Sequence, residues 1–463
     1  MASNLDDAFA QLKSAHAANP FLDLRARRRH LKDLRQNLIK RQDDFARAIN
    51  QDFGRRHRLE VLFSEVFVSV HALKNAERNL AQWMERRPVE VDWPLQVASA
   101  WIMPQPVGVV GIISPWNYPV FLTVGPLAGA LAAGNRVLLK PSELTPATSA
   151  LFAELIAETF ARDHVSVVQG GIEEGIAFSR LPFDHLLFTG STAVGRQIMQ
   201  AAAANLTPVT LELGGKSPAL IAPDANLKRA ADDIVYGKLL NAGQTCIAPD
   251  YVLIRRSDRD PFVEHLRAAV AKRYPDATRN SQYTGIINDQ QFARLEGYLK
   301  EAAAAGATIV PLTDSVTHDR ILAPCAVLDP PEDLRLMRDE IFGPILPIRS
   351  YDSLDQAIEY VNARPRPLAL YLFAKAEATI DKVLERTIAG GVCINDTLVQ
   401  IVAEDLPFGG SGFSGIGQYH GKAGFDTFSK LKPVFHRHGI GIGAVLRPPY
   451  GRLHEFMRKL LIR

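Results

Sequence analysis

The 463-residue chain contains only three cysteines, at positions 246, 325 and 393. They are too few and too scattered for a disulfide framework, and this usage suits a reducing compartment such as the cytoplasm. The first 19 residues carry charged side chains and no apolar core segment, which argues against a signal peptide. No stretch approaches the roughly 20 apolar residues of a membrane span. We therefore expect a cytoplasmic protein with no membrane contact.

The chain also lacks an excess of charge of one sign, because it has 53 basic and 50 acidic residues and a net charge of +3. This balance gives no reason to expect nucleic acid or an acidic membrane as a partner. His436 and His438 have no cysteine or carboxylate at ligand spacing, so we expect no metal site. At 463 residues the chain is too long for one hydrophobic core, and two or three domains are expected.

Two short motifs contribute a carboxylate and a thiol, one group each. Glu212 lies in Leu-Glu-Leu-Gly-Gly-Lys, and Cys246 ends Asn-Ala-Gly-Gln-Thr-Cys. A helix predicted over residues 227–240 separates them, so the chain can return and bring the two side chains together. A cysteine nucleophile needs a proton acceptor, and a thioester intermediate needs an activated water. The alternative is that Cys246 is a small buried hydrophobic residue; its polar neighbours argue against this, but the residues alone leave both interpretations open.

Hydrophobic periodicity predicts one amphipathic helix over residues 21–53 and another from Leu59 to Arg86. From Val107 onward, short β-branched runs alternate with helical patterns, which is typical of a doubly wound parallel sheet. The predicted strands of this block cover residues 107–113, 137–139, 165–168 and 185–188. A second alternating block begins near Glu212. The expected fold class is therefore α/β, with two sheet-containing domains.

Two segments of the first block are candidates for binding a dinucleotide. Gly190 to Gly195 follows a predicted strand and opens a helix, where free N–H groups and the helix dipole favour a phosphate. The segment lacks the G-x-G-x-x-G pattern, so taken alone an ordinary glycine-rich turn would be favoured. Lys140 and Glu143 follow an earlier strand, at the edge where open α/β sheets bind ligands, and could hydrogen-bond an adenosine ribose. A lysine at a strand end is otherwise usually solvated.

Asn117 lies between two prolines in Ser-Pro-Trp-Asn-Tyr-Pro, residues 114–119. The prolines restrain a turn at the end of a strand and so hold the Asn117 amide rigidly. A fixed amide donor is what an oxyanion hole requires. As an ordinary turn residue, asparagine would also be unremarkable.

Taken together, these segments resemble the aldehyde dehydrogenase superfamily over nearly the whole chain. The matching segments cover residues 115–119, 140–143, 188–191, 211–216, 243–246, 340–344 and 407–410. Residues 246–251 and 419–428 resemble the short, class-three-like branch. Within that branch, residues 52–55 and the tail 447–451 are similar to bacterial coniferyl aldehyde dehydrogenases.

The resemblance implies roles for the residues at matching positions. Cys246 would attack the aldehyde as a thiolate, and the resulting oxyanion would be held by the Asn117 amide and the Cys246 backbone N–H. After hydride transfer to nicotinamide, Glu212 would activate the water that releases the acid from the thioester. Candidate walls of the substrate pocket are the aromatic residues Tyr118, Tyr236 and Phe408.

The resemblance also implies NAD or NADP as the cofactor. Glu340 would hold the nicotinamide ribose, Lys140 the adenosine ribose, and Gly190 with Ser191 the pyrophosphate. Further cofactor contacts are expected at Glu143, Gly195 and Phe342. A carboxylate at Glu143 should repel a 2′-phosphate, so we expect NAD to be accepted readily, with NADP possible.

The family fold predicts three parts and a tail. The predicted dinucleotide-binding domain comprises residues 1–82 and 110–211, and the catalytic domain residues 212–397. A β-arm used in dimerisation would comprise residues 83–109 and 398–435, followed by a tail at 436–463. We therefore expect a homodimer.

The expected reaction is oxidation of an aromatic aldehyde of the coniferyl type to its acid. A medium- or long-chain aliphatic aldehyde is the main alternative substrate. A reductive enzyme acting on acyl phosphates or acyl thioesters would not need Glu212 as a hydrolytic base. A structural protein on the same scaffold would be expected to have lost Cys246, Glu212 or Asn117, and all three are present.

Overall fold

The computed structural model describes residues 2–92, 98–439, 443 and 447–462. The β-strands are β1 (Arg87–Val89), β2 (Ala98–Pro106), β3 (Val109–Ile113), β4 (Arg136–Lys140), β5 (Val165–Val167), β6 (His185–Gly190), β7 (Val209–Leu213), β8 (Pro218–Ile221), β9 (Tyr251–Arg255), β10 (Thr308–Pro311), β11 (Cys325–Leu328), β12 (Ile345–Tyr351), β13 (Ala369–Phe373), β14 (Gly391–Ile394), β15 (Gly415–Ile416) and β16 (Ser429–Arg437).

The α-helices are α1 (Ala2–Ala18), α2 (Leu24–Lys40), α3 (Gln42–Phe53), α4 (Arg58–Val61), α5 (Val68–Trp83), α6 (Phe121–Ala133), α7 (Pro146–Thr159), α8 (Ile172–Ser179), α9 (Thr192–Ala203), α10 (Leu227–Leu239), α11 (Arg259–Arg273), α12 (Asp289–Ala304), α13 (Arg335–Arg338), α14 (Leu354–Asn362), α15 (Glu377–Arg386), α16 (Gly421–Thr427) and α17 (Arg452–Leu461). Among the described helices, none combines the length and apolar composition needed to cross a membrane.

The first sheet has six strands in the order β15-β7-β6-β3-β4-β5, parallel except between β15 and β7. The chain runs outward from β3 through β4 to β5 and then returns to β6 on the other side of β3. Both faces are buried: Ile112 and Leu139 belong to one hydrophobic cluster, while Val109 and Leu138 belong to another. This is a doubly wound sheet, which confirms the predicted α/β fold. Ligands of such sheets bind at the carboxyl edge beside the point where the strand order reverses, here between β3 and β6.

The second sheet has seven strands in the order β10-β11-β12-β9-β8-β13-β14, parallel except between β10 and β11. A cluster of buried residues from α10, α11 and α12 packs against it. Only residues 214–217 separate β7 from β8, so the carboxyl edge of the first sheet lies next to the amino edge of the second. The short connection therefore brings these edges of the two sheets together, and the candidate site lies between them.

A third, antiparallel sheet has the order β1-β2-β16 and pairs residues 98–106 with 429–437. These strands come from the two segments predicted as the arm, although β16 extends past residue 435, and β15 joins the first sheet instead. Residues 93–97 of the predicted arm, and 440–442, 444–446 and 463 of the predicted tail, lie outside the described residues. The division into domains remains a prediction.

The helix predicted over residues 21–53 is in fact two helices, α2 and α3, which meet at Arg41 (φ −98°, ψ 12°). Two interactions favour the break. The Arg41 guanidinium pairs with Glu154 and Glu158 of α7, and the acidic residues that follow it suit the amino end of a new helix. Periodicity cannot detect this break because the apolar stripe continues across it.

The helix predicted from Leu59 to Arg86 is interrupted by a π-helical turn, Leu62–Phe67, and ends at Trp83. π-Helical turns are uncommon in proteins, but those that occur are often found at functional sites. Here Phe63 and Ser64, both in the turn, line the cavity described below.

Candidate active site

The carboxyl edge of the first sheet gathers most of the residues that the sequence singled out. Asn117 lies in the turn after β3, Lys140 is the last residue of β4, and Gly190 is the last residue of β6. Glu212, near the end of β7, is paired in register with Thr189 of β6. The parallel arrangement places all four at the same edge.

Cys246 lies in the loop between α10 and β9, at the facing edge of the second sheet. The loop begins with three consecutive residues in the left-handed region, Asn241, Ala242 and Gly243, with φ values of 51°, 51° and 76°. A side chain at position 243 would place its Cβ 2.5 Å from the carbonyl oxygen of Gly343, so only glycine fits. Left-handed alanine costs conformational energy, and such strain clusters at active sites. The tight loop leaves the Cys246 side chain partly exposed.

The electrostatic surroundings of Cys246 keep its thiol protonated. Burial, with a smaller contribution from the charges that Glu340 and Glu212 carry when ionised, raises its pKa to about 12, although the backbone N–H groups of Cys246 and Ile247 act to lower it. Both carboxylates, when ionised, therefore act electrostatically against the thiolate. A nucleophilic thiolate at this position requires a nearby proton acceptor or a compensating positive charge.

Glu212 is a buried carboxyl group that forms no ion pair within the described part of the chain. The residue is 2% exposed, and neither carboxyl oxygen has a hydrogen-bond partner among the described residues. Burial raises its pKa well above the usual value. An isolated carboxyl group of this kind is a strong base once ionised, and a strongly perturbed pKa next to a thiol is typical of active sites.

Asn117 is held against the loop that carries Cys246. Its side-chain Nδ2 donates a hydrogen bond to the carbonyl oxygen of Gln244 at 3.1 Å, and the residue is 3% exposed. An amide nitrogen has two N–H groups, so one is engaged here and the second remains to donate to a ligand. Tyr118, the next residue, makes a second contact with the same loop: its hydroxyl group forms a 2.7 Å hydrogen bond with the Thr245 hydroxyl group.

A cavity of about 600 Å³ leads to Cys246. Tyr118 and Tyr236, both predicted as pocket walls, line it. Phe408 does not: it stacks on the ring of His420, with ring centroids 5.1 Å apart, and lines a smaller cavity that shares Ile247 with the larger one. Sequence position alone cannot show which of the three aromatic residues lines the main cavity, because all three are near the motifs that carry Asn117, Cys246 and the 407–410 segment.

A second cavity, of about 520 Å³, lies beside the segment that joins the two sheets, and its lining includes Gly214, Gly215, Glu340, Thr192, Arg366 and Phe413. Glu340 accepts a hydrogen bond from the Gly215 N–H, and its other oxygen has no partner within the described part of the chain. Burial and the charge of Asp250 raise the pKa of Glu340 to about 8. A cavity beside a helix amino end, with an unpaired buried oxygen, fits the ribose and phosphates of a dinucleotide.

The other predicted cofactor residues surround this region. Ser191 caps α9, its hydroxyl accepting from the Val194 N–H at 3.4 Å. Gly195 packs closely on Leu213: a Cβ there would lie 2.6 Å from the end of the Leu213 side chain, which would have to shift. The Phe342 ring contacts Trp116 edge to face, with centroids 5.3 Å apart.

Lys140 is buried, and its ammonium contacts the Glu143 carboxylate at 3.4 Å. The alternative of a simply solvated strand-end lysine is therefore wrong for Lys140, whereas Glu143 is partly exposed at the surface. The pair places one positive and one negative group at the carboxyl end of β4.

The site includes residues that the sequence did not single out. Arg56, Glu60 and Glu65 form a buried cluster behind Asn117, and Thr245 holds Tyr118. The i, i+4 spacing of Arg56 and Glu60 was a detectable signal for an ion pair, but nothing in the pattern indicates that it reaches Asn117. Within the described ranges there is no group of three or more His, Cys, Asp or Glu residues suited to hold a metal ion.

Comparison with known proteins agrees with this geometry. Residues 1–434 match the aldehyde dehydrogenase family. The chain is 48% identical over 462 residues to a probable coniferyl aldehyde dehydrogenase of Pseudomonas aeruginosa, covering 100% of this chain and 97% of the relative. It is 43% identical to a coniferyl aldehyde dehydrogenase of Pseudomonas sp., covering 99% and 97%. Among solved structures, the substrate-bound state of Staphylococcus aureus AldH superposes with a TM-score of 0.93 at 36% identity, covering 98% of this chain and 99% of that one.

Proposed function

The chain belongs to the aldehyde dehydrogenase family and oxidises an aldehyde to the carboxylic acid with a nicotinamide dinucleotide, and on this basis we propose that its substrates are aromatic aldehydes of the coniferyl type. The observation that carries the proposal is the cavity of about 600 Å³ ending at Cys246. Its walls include the aromatic side chains of Tyr118, Phe121, Tyr236 and Tyr274. Rings of this kind favour a flat aromatic substrate through offset or edge-to-face contacts. Relatives named for coniferyl aldehyde support the same substrate class.

In the first step of the proposed mechanism, the Cys246 sulfur attacks the carbonyl carbon of the aldehyde. The thiol must first lose its proton, because its raised pKa of about 12 leaves it protonated at neutral pH, and this proton passes to solvent through the cavity that Cys246 lines. The carbonyl oxygen becomes an oxyanion, which the free N–H of the Asn117 amide and the backbone N–H of Cys246 stabilise. Because these donors are held in place before the reaction, they lower the barrier without rearranging.

NAD, when bound, supplies the hydride acceptor. Glu340 and Gly215 are proposed to hold its nicotinamide ribose, and the amino end of α9, with Gly190 and Ser191, its pyrophosphate. The Lys140 ammonium would bind the adenosine ribose. We propose NAD as the preferred cofactor because the exposed Glu143 carboxylate would repel a 2′-phosphate, while Lys140 partly offsets this repulsion.

In the last step Glu212 takes a proton from the water that attacks the thioester. Its carboxyl group suits this role because it is buried, has no competing partner in the described structure and has a raised pKa. Collapse of the second tetrahedral intermediate breaks the carbon–sulfur bond, and the acid leaves. Glu212 returns the proton that it took from the water to the departing Cys246 sulfur, which restores both the thiol and the carboxylate.

We also propose that the enzyme is a cytoplasmic homodimer. The three free cysteines favour a reducing compartment. The sheet β1-β2-β16 offers an edge through which two copies could pair. Analytical ultracentrifugation tests the dimer: a species of 51.0 kDa, the mass of one chain, at micromolar concentration would contradict it.

The substrate proposal is tested by measuring kcat/KM for coniferyl aldehyde, benzaldehyde and decanal with NAD, using Cys246→Ala as the inactive control. We expect coniferyl aldehyde to exceed decanal by about tenfold or more, the scale of discrimination that differences in apolar pocket contacts usually produce. A higher kcat/KM for decanal would overturn the aromatic preference in favour of an aliphatic substrate. Activity of Cys246→Ala would refute the role of the thiol.

A further inference from the structure

A buried arginine lies directly behind the turn that carries Asn117. Arg56 is 1% exposed, and its Nη1 donates a 3.0 Å hydrogen bond to the backbone carbonyl oxygen of Asn117. We propose that Arg56 is a positioning residue that holds Asn117 in place for the oxyanion. This inference rests on the role proposed above for the Asn117 amide, and it adds a residue from the loop between α3 and α4.

The guanidinium is itself fixed on several sides. Its Nε donates to Glu60 at 3.0 Å, its Nη1 to Glu65 at 3.0 Å, and its Nη2 to the Ser64 hydroxyl at 3.2 Å. Glu60 in turn accepts from the Thr284 hydroxyl. A planar guanidinium presents its donors in a fixed fork, so these contacts leave it no freedom to rotate. The donor that reaches Asn117 is therefore aimed by two carboxylates.

The peptide of Asn117 is held from two directions. Its carbonyl oxygen accepts from Arg56 and also from Asn241 Nδ2, at 3.0 Å each. Asn241 belongs to the loop that leads to Cys246 and donates a second bond to the Gln244 carbonyl oxygen, which the Asn117 side chain also contacts. The oxyanion amide and the nucleophile loop thus share one hydrogen-bond network, anchored on its outer side by Arg56.

Two further contacts tie the same cluster to the turn. The Arg56 guanidinium lies over the Tyr118 ring at 4.8 Å, and the Tyr118 hydroxyl reaches Thr245, next to the nucleophile. Glu65 accepts the backbone N–H groups of Val120 and Phe121 at 3.0 and 2.9 Å, which fixes the residues just after the turn. Arg56 and its partner Glu65 therefore hold the turn on both sides of Asn117.

Stability alone is a poor reason for this arrangement. The desolvation penalty of a buried ion pair usually offsets its Coulombic gain, so such pairs contribute little net stability. The contacts here instead converge on the backbone of one proposed oxyanion donor. A displacement of about 1 Å in such a group can slow a reaction about 100-fold.

The test is a double-mutant cycle with Arg56→Lys and Asn117→Ala. Lysine keeps the charge but cannot contact Glu60, Glu65 and the Asn117 carbonyl together. We expect Arg56→Lys to lower kcat roughly 10- to 100-fold and Asn117→Ala roughly 100- to 1,000-fold. In both variants the isotope effect with an aldehyde deuterated at the reacting carbon should rise, because hydride transfer becomes rate-limiting, while the Kd for NAD stays unchanged. The double variant should be no slower than Asn117→Ala, because Arg56 acts through Asn117.

Arg27→Lys is the matched control. Arg27 is an equally buried arginine that donates to the backbone carbonyls of Leu22, Ala132 and Ala133, and it makes no hydrogen bond to the site in the described structure. We expect it to lower Tm without changing kcat or the isotope effect. If Arg56→Lys does not yield folded protein, Glu60→Gln is the second variant, since it weakens the anchor and keeps the arginine. Its effect on kcat should likewise vanish in the Asn117→Ala background.

The outcomes separate the two proposals. If Asn117→Ala leaves kcat unchanged, the proposed oxyanion role of Asn117 is wrong. If Asn117→Ala is slow but Arg56→Lys has normal kcat, or if the two losses add, Asn117 keeps its role and the positioning role of Arg56 is overturned. The same conclusion follows if Glu60→Gln slows both backgrounds equally.

Discussion

Replacing Glu212 by glutamine separates the two halves of the proposed reaction. Glutamine keeps the shape of the buried side chain but cannot accept a proton at neutral pH. The neighbours of Glu212 should be little disturbed, because neither of its carboxyl oxygens has a hydrogen-bond partner among the described residues. Thiohemiacetal formation and hydride transfer should therefore proceed, while hydrolysis of the thioester should stall.

The size of the effect follows from the role of a general base, whose removal commonly costs a factor of about 10² to 10⁴. For a typical turnover of about 10 s⁻¹, the steady-state rate would fall to roughly 0.1 to 0.001 s⁻¹. The first turnover would then stand out clearly. Rapid mixing of Glu212→Gln with saturating NAD and coniferyl aldehyde should release about one equivalent of NADH per site, followed by a slow phase.

Mass spectrometry of the intact variant identifies the accumulating species. It should show one acyl adduct, located on Cys246 by proteolysis. The other two thiols, Cys325 on β11 and Cys393 on β14, are buried and serve as internal controls. Absence of both burst and adduct would mean that Glu212 is needed to activate the thiol. Unchanged steady-state turnover would refute a catalytic role for Glu212 altogether.

The charges around the site predict three further outcomes. Alkylation of Cys246 by iodoacetamide in the absence of cofactor should be slow near pH 7 and accelerate about tenfold per pH unit toward its pKa, because only the thiolate reacts and burial raises that pKa to about 12. Glu340→Gln should speed alkylation at a fixed pH above about 8, where the Glu340 carboxyl group is ionised and its negative charge raises the pKa of the thiol; a rate independent of pH would contradict this reasoning. Glu143→Gln should raise kcat/KM for NADP by roughly two- to fivefold, the scale of a partly exposed charge pair, since it removes a carboxylate and leaves Lys140 free to meet a 2′-phosphate. A strong preference for NADP that Glu143→Gln does not alter would show that this carboxylate does not discriminate.

The sequence by itself determined the fold class and the chemical groups of the candidate site. Alternation of β-branched runs with helical patterns is a local signal, and four of the six strands of the first sheet, β3 to β6, form where it predicts them. Cys246, Glu212 and Asn117 were identified because they lie in short motifs with prolines, glycines or polar neighbours that a packed core would not need. The meeting of Asn117 and Glu212 could be anticipated because carboxyl ends of parallel strands share one edge of a sheet, and that of Cys246 with Glu212 because the helix between them lets the chain return.

Tertiary structure alone decided which side chains surround those groups. Arg56 meets Asn117 across 61 positions, and Tyr118 meets Thr245 across 127, so no local pattern records either contact. Phe408 packs on His420 instead of entering the main cavity. The pKa values of the Cys246 and Glu212 side chains depend mainly on burial, which only the packed chain creates. Motifs thus identify the reacting groups, but their geometry and acidity arise from contacts between residues far apart in the sequence.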